Sequence, residues 1–496
     1  MCYNSVTVYR ILIPMAMVPL NSPMKQRSAP IVLFPAQKSC FCICDWLRAL
    51  LPLLIILLSS PLQGKAAEHF PVYPSIKPNV RFWENVYSRY STRQGILHDK
   101  NNLAIVYTVV DLVDWNSSGS VRINKKLIKL ARQHYKTILA DLAEGKTPTT
   151  AEEKRVAAMF PPNSHHAFRD ARDNIRLQIG QKDRFVEGII RSGVYLADIK
   201  KIFSAYKLPP ELAYLPHVES SFNPDAHSKA GAAGLWQFTR STGRQYMVVD
   251  NVVDQRYDPY YATRAAAVFL KENFEALGSW PLAITAYNHG RNGMLRAAKE
   301  FGSYEQIFNN HESKLFRFAS RNFYSEFIAA MNVARRLEND RNIIPDRPEA
   351  TIMVRMEGFA RTEDIRSHFR VSDEDFTRLN PALREPVLRG KKFIPKNFHI
   401  RIPANDRTRD LASTIPSRLY HPYQIRDQEY IVRRGDTAGA IARRYKISVA
   451  ELIMANNLNK KAMIRIGQRL KIPSGANDTN SIQVVVLEPA SKNRPN

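Results

Sequence analysis

The sequence predicts a mainly α-helical body followed by small α+β modules, and three observations carry that prediction. Between residues 81 and 337, apolar and aromatic residues recur at spacings of three and four, the period of helices with one buried face. After Pro345 the pattern changes to short β-branched runs that bracket pairs of helix-length segments, a βααβ order. All four cysteines, Cys2, Cys40, Cys42 and Cys44, precede the globular part, which therefore holds together without disulfides or thiolate metal sites.

The chain opens with a targeting pattern. Residues 49–58 are an apolar run too short to span a bilayer but suited to the apolar region of a secretory signal. Met24-Lys25-Gln26-Arg27 supplies a basic start, and Ser59, Ser60, Gly64, Ala66 and Ala67 are small residues suited to cleavage. Residues 1–67 are thus read as signal sequence and N-terminal extension. Left uncleaved, the same run would anchor the chain to a membrane. No cysteine follows it, so it offers no site for lipid attachment. The whole chain has 496 residues, room for about three or four domains. Its net charge of +26 favours polyanionic surroundings: nucleic acid, anionic lipid or bacterial cell wall. The secretory segment argues against nucleic acid.

Residues 68–200 form a helical N-terminal region. Pro71, Pro74 and Pro78 mark an extended opening, and Phe82-Trp83, Val86-Tyr87 and Tyr90 form an aromatic helix face. Residues 103–110 read as one short strand. Leu127, Ala131, Ile138 and Leu139 mark a further helix, and residues 183–206 another that buries Phe185, Ile189, Ile199 and Ile202. The aromatics here are read as core.

Residues 201–342 form the unit that carries chemistry. Pro209-Pro210-Glu211 starts a helix that runs to Glu219, with Pro216 inside it as an expected kink. Asn223-Pro224 then turns the chain into the glycine-rich stretch 228–237. A carboxyl sheltered by apolar neighbours has its charged form disfavoured, so Glu219 can hold a proton near neutral pH. That is what a general acid acting on a glycosidic oxygen needs. Asp250, Asp254 and Asp258 are the candidates for a second catalytic carboxylate, and are read as structural. Gly231 and Gly234 lack the Gly-Lys-Ser/Thr sequel of a phosphate loop, so they are read as letting backbone approach a sugar. Trp236 stands open between stacking platform and core. His217, His227 and His289 lack ligand spacing, so no metal is expected.

Glu219-Ser220, Phe222-Asn223-Pro224, Ser228, Gly231-Ala232, Gly234-Leu235-Trp236-Gln237, Thr242-Gly243 and Ala286-Tyr287-Asn288 occur in order and at compatible spacing. Together they resemble the lytic murein transglycosylases of the membrane-bound D type, over about residues 180–340. The resemblance implies a lysozyme-like catalytic domain, goose-type and similar to the soluble lytic transglycosylases. It also implies C-terminal LysM modules, at 428–474 and, in degenerate form, at 351–403. Residues 404–427 would be a linker and 475–496 a disordered tail. By the same resemblance the chain cleaves the β-1,4 bond between N-acetylmuramic acid and N-acetylglucosamine in peptidoglycan strands. Glu219 acts as acid and then as base on the C6 hydroxyl, giving a 1,6-anhydro ring without cofactor or metal. Ser228, Gln237, Tyr287, Asn288 and Tyr324 would bind sugar. Gly435, Asp436, Thr437, Asn456, Leu458 and Ile464 would form the glycan-binding loops of the second module. The first lacks the Gly-Asp-Thr turn, so binding is not assigned to it. The implied location is the periplasm or cell envelope, where other cell-wall enzymes are candidate partners; the oligomeric state is not indicated. A muramidase that hydrolyses with water and a non-catalytic wall-binding protein are the alternatives.

Overall fold

The computed structural model describes residues 69–162, 164–459 and 461–473. The expected signal segment and tail lie outside the described residues.

Helix α1 (Lys77–Ser88) opens with Pro78 in its first turn, where a missing N–H leaves no bond unmade, and buries Phe82, Trp83, Val86 and Tyr87. A three-stranded antiparallel sheet follows in the order β2-β1-β3, from β1 (Gln94–Asp99), β2 (Val106–Asp111) and β3 (Ile175–Ile179). The sequence indicated one strand where there are three. Central β1 is buried almost along its whole length, so it lacks the in–out alternation that marks a half-exposed strand. Helices α2 (Ser120–Ala143), α3 (Ala151–Ala157) and α4 (His165–Asn174) close a small separate core with Leu97, Tyr107, Leu139, Val156 and Phe168.

The single helix expected over 183–206 is two, α5 (Lys182–Ser192) and α6 (Leu196–Ala205). They part near Gly193, whose Cα lies so close to the Asp346 carbonyl that no side chain would fit. A 3-10 turn, Pro210–Tyr214, leads into α7 (Leu215–Glu219). The rest of the body is α8 (Arg240–Tyr246), α9 (Pro259–Leu277), α10 (Trp280–His289), α11 (Arg291–Phe301), α12 (Tyr304–Asn310) and α13 (Phe318–Leu337).

Helix α13 runs through the main core and buries Phe323, Tyr324, Phe327, Ile328 and Met331. Each such side chain contributes roughly 1.5–3 kcal/mol relative to exposure. Helix α1 lies along it, tied by a buried bond from Asn79 Nδ2 to Asn322 Oδ1 (2.7 Å). The N-terminal region and the 201–342 unit thus share one hydrophobic core.

The first C-terminal module comprises β4 (Thr351–Arg355), β5 (Phe359–Ala360), α14 (Thr362–Phe369), α15 (Asp373–Leu379), α16 (Glu385–Leu388) and β6 (His399–Pro403). Strands β4 and β6 pair antiparallel, Thr351 opposite Pro403. The stretch 404–427 folds back on this module. It carries α17 (Asp406–Ser413) and β7 (Tyr420–His421), which pairs with β5, and Gln424 bonds both backbone groups of Phe393 (2.7 and 2.9 Å). The last module has β8 (Gln428–Ile431), α18 (Ala438–Arg444), α19 (Val449–Asn456) and β9 (Arg469–Ile472) around Tyr430, Ile441, Leu452, Leu470 and Ile472.

Candidate active site

Glu219 is the last residue of α7, and local geometry fixes it there. The expected kink is a change of helix type. The 3-10 turn ends at Tyr214, and Pro216 falls in the first turn of α7, where its missing N–H is harmless. The chain then leaves the helix sharply. Ser220 N and Phe222 N both donate to Pro216 O (3.0 and 3.2 Å), and Ser221 and Phe222 take left-handed φ of 51° and 54°. Such backbone costs about 1 kcal/mol or more per residue and persists only where its surroundings impose it. Here Arg191 Nε and Nη2 donate to Ser221 O (3.2 and 2.7 Å), and the Phe222 ring is fully buried. Ser220 Oγ donates to Leu235 O (2.8 Å), joining the turn to the glycine-rich loop.

The electrostatics brings in groups from far along the chain. Burial, and then the nearby Glu326 carboxyl, pushes Glu219 up to about 8. Glu326 lies on α13 and is itself raised to about 8 by burial, while Arg176 of β3 pulls it back. The Tyr87 hydroxyl of α1 is raised by burial, then by Glu326 and Glu219; that of Tyr287 is raised by burial and Glu219. Both carboxyl side chains remain half-buried. Two carboxyls in one site cannot readily both ionise. Arg176, which faces only Glu326 of the two, lowers that carboxyl against its burial, while Glu219 has no such counter-charge and is raised further by Glu326.

The other expected site residues divide. Ser228 accepts a bond from Ala232 N (2.9 Å) and closes the turn over Gly231. Gln237 sits at φ 48° and donates from Nε2 to Ala226 O and Gly234 O (3.1 and 2.9 Å). Tyr287 donates to Trp236 O (2.8 Å), and exposed Asn288 accepts from Ser320 Oγ (2.9 Å). Tyr324 departs from the expectation. It is 0% exposed, and its hydroxyl donates to Pro71 O (3.0 Å), so it has no free surface to offer a sugar. Trp236 is likewise core, fully buried and bonded to Thr263 Oγ1 (2.9 Å).

The three aspartates act structurally. Asp250 accepts from Val252 N and Val253 N, Asp254 pairs with Arg256, and Asp258 caps α9 and pairs with Arg401. The second carboxyl of the site is Glu326, which sequence reasoning passed over together with Tyr87 and Arg176. A signal was present. A lone acid set between Phe323-Tyr324 and Phe327-Ile328, within the apolar stretch of its helix, is a flag for a functional carboxyl. His217 is buried against Phe185 and Phe222, and burial holds it neutral down to about 3. Among the described residues no group of three or more His, Cys, Asp or Glu is placed to hold a metal ion.

In the last module Gly435 takes φ 87°, Asp436 accepts from Tyr430 Oη and Arg433 N (2.7 Å each), and Thr437 caps α18. Asn456 ties α19 to β9, donating to Lys471 O (2.7 Å) and accepting from Lys471 N (2.6 Å). Leu458 and Ile464 pack half-buried on the module core.

Comparison with known proteins adds three findings. Residues 199–309 match the Transglycosylase SLT domain, and residues 430–473 the LysM domain. Over 414 residues the chain is 25% identical to membrane-bound lytic murein transglycosylase D of Escherichia coli (strain K12), covering 76% of this chain and 88% of that one. A protein of Alteromonas sp. (strain M-1) named for tributyltin chloride resistance is 38% identical over 111 residues, 22% of this chain and 53% of its own.

Proposed function

We propose that this chain, a murein lytic transglycosylase by its SLT domain and its relatives, cleaves glycan strands with Glu219 as its acid and base. The observation that carries the assignment is the sheltered Glu219 carboxyl, raised to about 8 and so protonated at neutral pH. Glu219 passes its proton to the oxygen between N-acetylmuramic acid and N-acetylglucosamine as the glycosidic bond breaks. The substrate's own acetamido oxygen stabilises the developing cation, as in substrate-assisted glycosidases, so no enzyme nucleophile is needed. The Glu219 carboxylate then takes the proton of the C6 hydroxyl, whose oxygen closes on C1 as a 1,6-anhydro ring. An intramolecular hydroxyl has a proximity advantage over water. Ser228 and Gln237 of the loop, with Tyr287 and Asn288 of α10, hydrogen-bond the sugar and acetamido groups.

The LysM domain at 430–473 holds the same glycan, which raises the concentration of strand near Glu219 without any new contact at the bond being cut. The place of action is the exported side of the cell envelope. Among the described residues, no helix is long and apolar enough to cross a membrane.

Glu326 supports one second reading. Once ionised, above its raised value of about 8, a carboxylate coupled to Glu219 could activate water, giving hydrolysis and a reducing sugar end. Mass spectrometry of fragments released from purified sacculi separates the two, because an anhydro end lacks one water. Anhydro products from the wild type and none from Glu219→Gln support the proposal; hydrated products would replace it with the second reading.

A further inference from the structure

The module at 351–403 is fastened to the catalytic unit along one continuous seam. Asp254 N donates to Ala382 O (2.8 Å), Arg384 N donates to Val252 O (3.0 Å), and Val253 is part of the module's own hydrophobic core. A few residues on, Arg401 grips both oxygens of Asp258. Arg401 is in turn fixed by Asn380, whose side chain bonds its backbone N and O (2.7 and 2.9 Å). The segment 252–258 is therefore pinned near both ends by the module.

Its middle reaches the other way. Asp254 and Arg256 form a pair with side chains 1% and 2% exposed, through Nε–Oδ1 (2.9 Å) and Nη2–Oδ2 (2.7 Å). The remaining nitrogen, Nη1, donates to Gly231 O (2.9 Å) and Phe238 O (3.1 Å), one at each end of the loop that presents Gln237. The backbone seals the contact. Gly234 has φ +76°, and any Cβ there would fall on the Arg256 carbonyl. A planar fork can satisfy a carboxylate and two carbonyls together; a lysine ammonium on its flexible stem cannot.

We infer that the 351–403 module is a fixed strut of the catalytic unit, and that Arg256 is a positioning residue through which this strut sets the glycine-rich sugar-binding loop. The inference rests on the proposed role of that loop. It gives a module that lacks the glycan-binding turn a mechanical task in place of binding.

The test compares full-length wild type, Arg401→Ala, Arg401→Lys and Arg256→Lys on soluble glycan strands, well below the unfolding temperature of each. Binding of N-acetylglucosamine oligomers to the LysM domain serves as a fold control. Arg401→Ala should raise KM about tenfold with kcat within about threefold, Arg401→Lys should recover part of it, and Arg256→Lys should raise KM further. The pH profile of kcat should not move. Variants that unfold at lower temperature with KM and kcat both unchanged would show a merely structural seam and overturn the inference. So would a fall in kcat at constant KM. These ratios can be read on whichever product the enzyme releases, so a hydrated product would sink the anhydro reading without touching this one.

Discussion

Replacing Glu326 by Gln should shift the basic limb of the pH–rate profile and leave the enzyme active. Glu219 must carry its proton to act as an acid, so kcat/KM falls as pH passes its pKa. Burial is the larger cause of its rise from 4.5 to about 8, and Glu326 the second. The neutral amide keeps most of the burial and removes only the charge. Less than half of the rise can then be lost, so the limb should move down by about one pH unit, equivalent to about 1.4 kcal/mol. The assay is initial rate of fragment release from soluble glycan strands between pH 5 and pH 9, with product mass as a second channel. Activity abolished at every pH would refute the reasoning and make Glu326 a base in its own right. A limb that does not move would show that burial alone sets the proton on Glu219.

Three further outcomes follow from the same geometry. Glu219→Gln should abolish release and also raise the melting temperature at pH 7.5. A carboxyl raised to about 8 when folded supports the fold fully below its unfolded value of 4.5 and loses that support as pH rises, so removing it relieves up to about 4 kcal/mol at pH 7.5. His217 runs the opposite way, being held to about 3 against an unfolded 6.5. Its contribution is intact above 6.5 and fades as pH falls, so thermal melts of His217→Phe should show a smaller loss between pH 7 and pH 4.5 than wild type. Asn456→Ala breaks the tie between α19 and β9 at a cost of about 2 kcal/mol within the LysM domain, and calorimetry with N-acetylglucosamine oligomers should show weaker binding.

The parts of the site readable from sequence are those whose geometry is local. Glu219, the turn at Asn223-Pro224 and the loop with Ser228 and Gln237 lie within about twenty residues, and their spacing carries their arrangement. Glu326, Tyr87 and Arg176 come together only because α13 packs along α1 and its Phe318 ring meets Arg176 of β3, which no periodicity records. Tyr324 shows the converse. Motif spacing places it on the right helix, but the face it occupies is decided by Tyr304, Phe327 and the chain at Pro71. The break between α5 and α6 falls at Gly193, packed against Asp346 from far along the chain, a contact that the helix pattern itself does not record.

The common core of the N-terminal region and the 201–342 unit sets how this protein can be inherited and rebuilt. The SLT match ends at residue 309, yet Glu326 and its counter-charge Arg176 both lie outside it, as does Tyr87. A graft of residues 199–309 into another scaffold would carry the proposed acid Glu219 without Glu326, Arg176 and Tyr87, and without the α1 and α13 faces its core packs on. The hydrophobic core that supports Glu219 thus runs from α1 through α13. Recombination or engineering that cuts inside it should yield insoluble chains rather than altered enzymes.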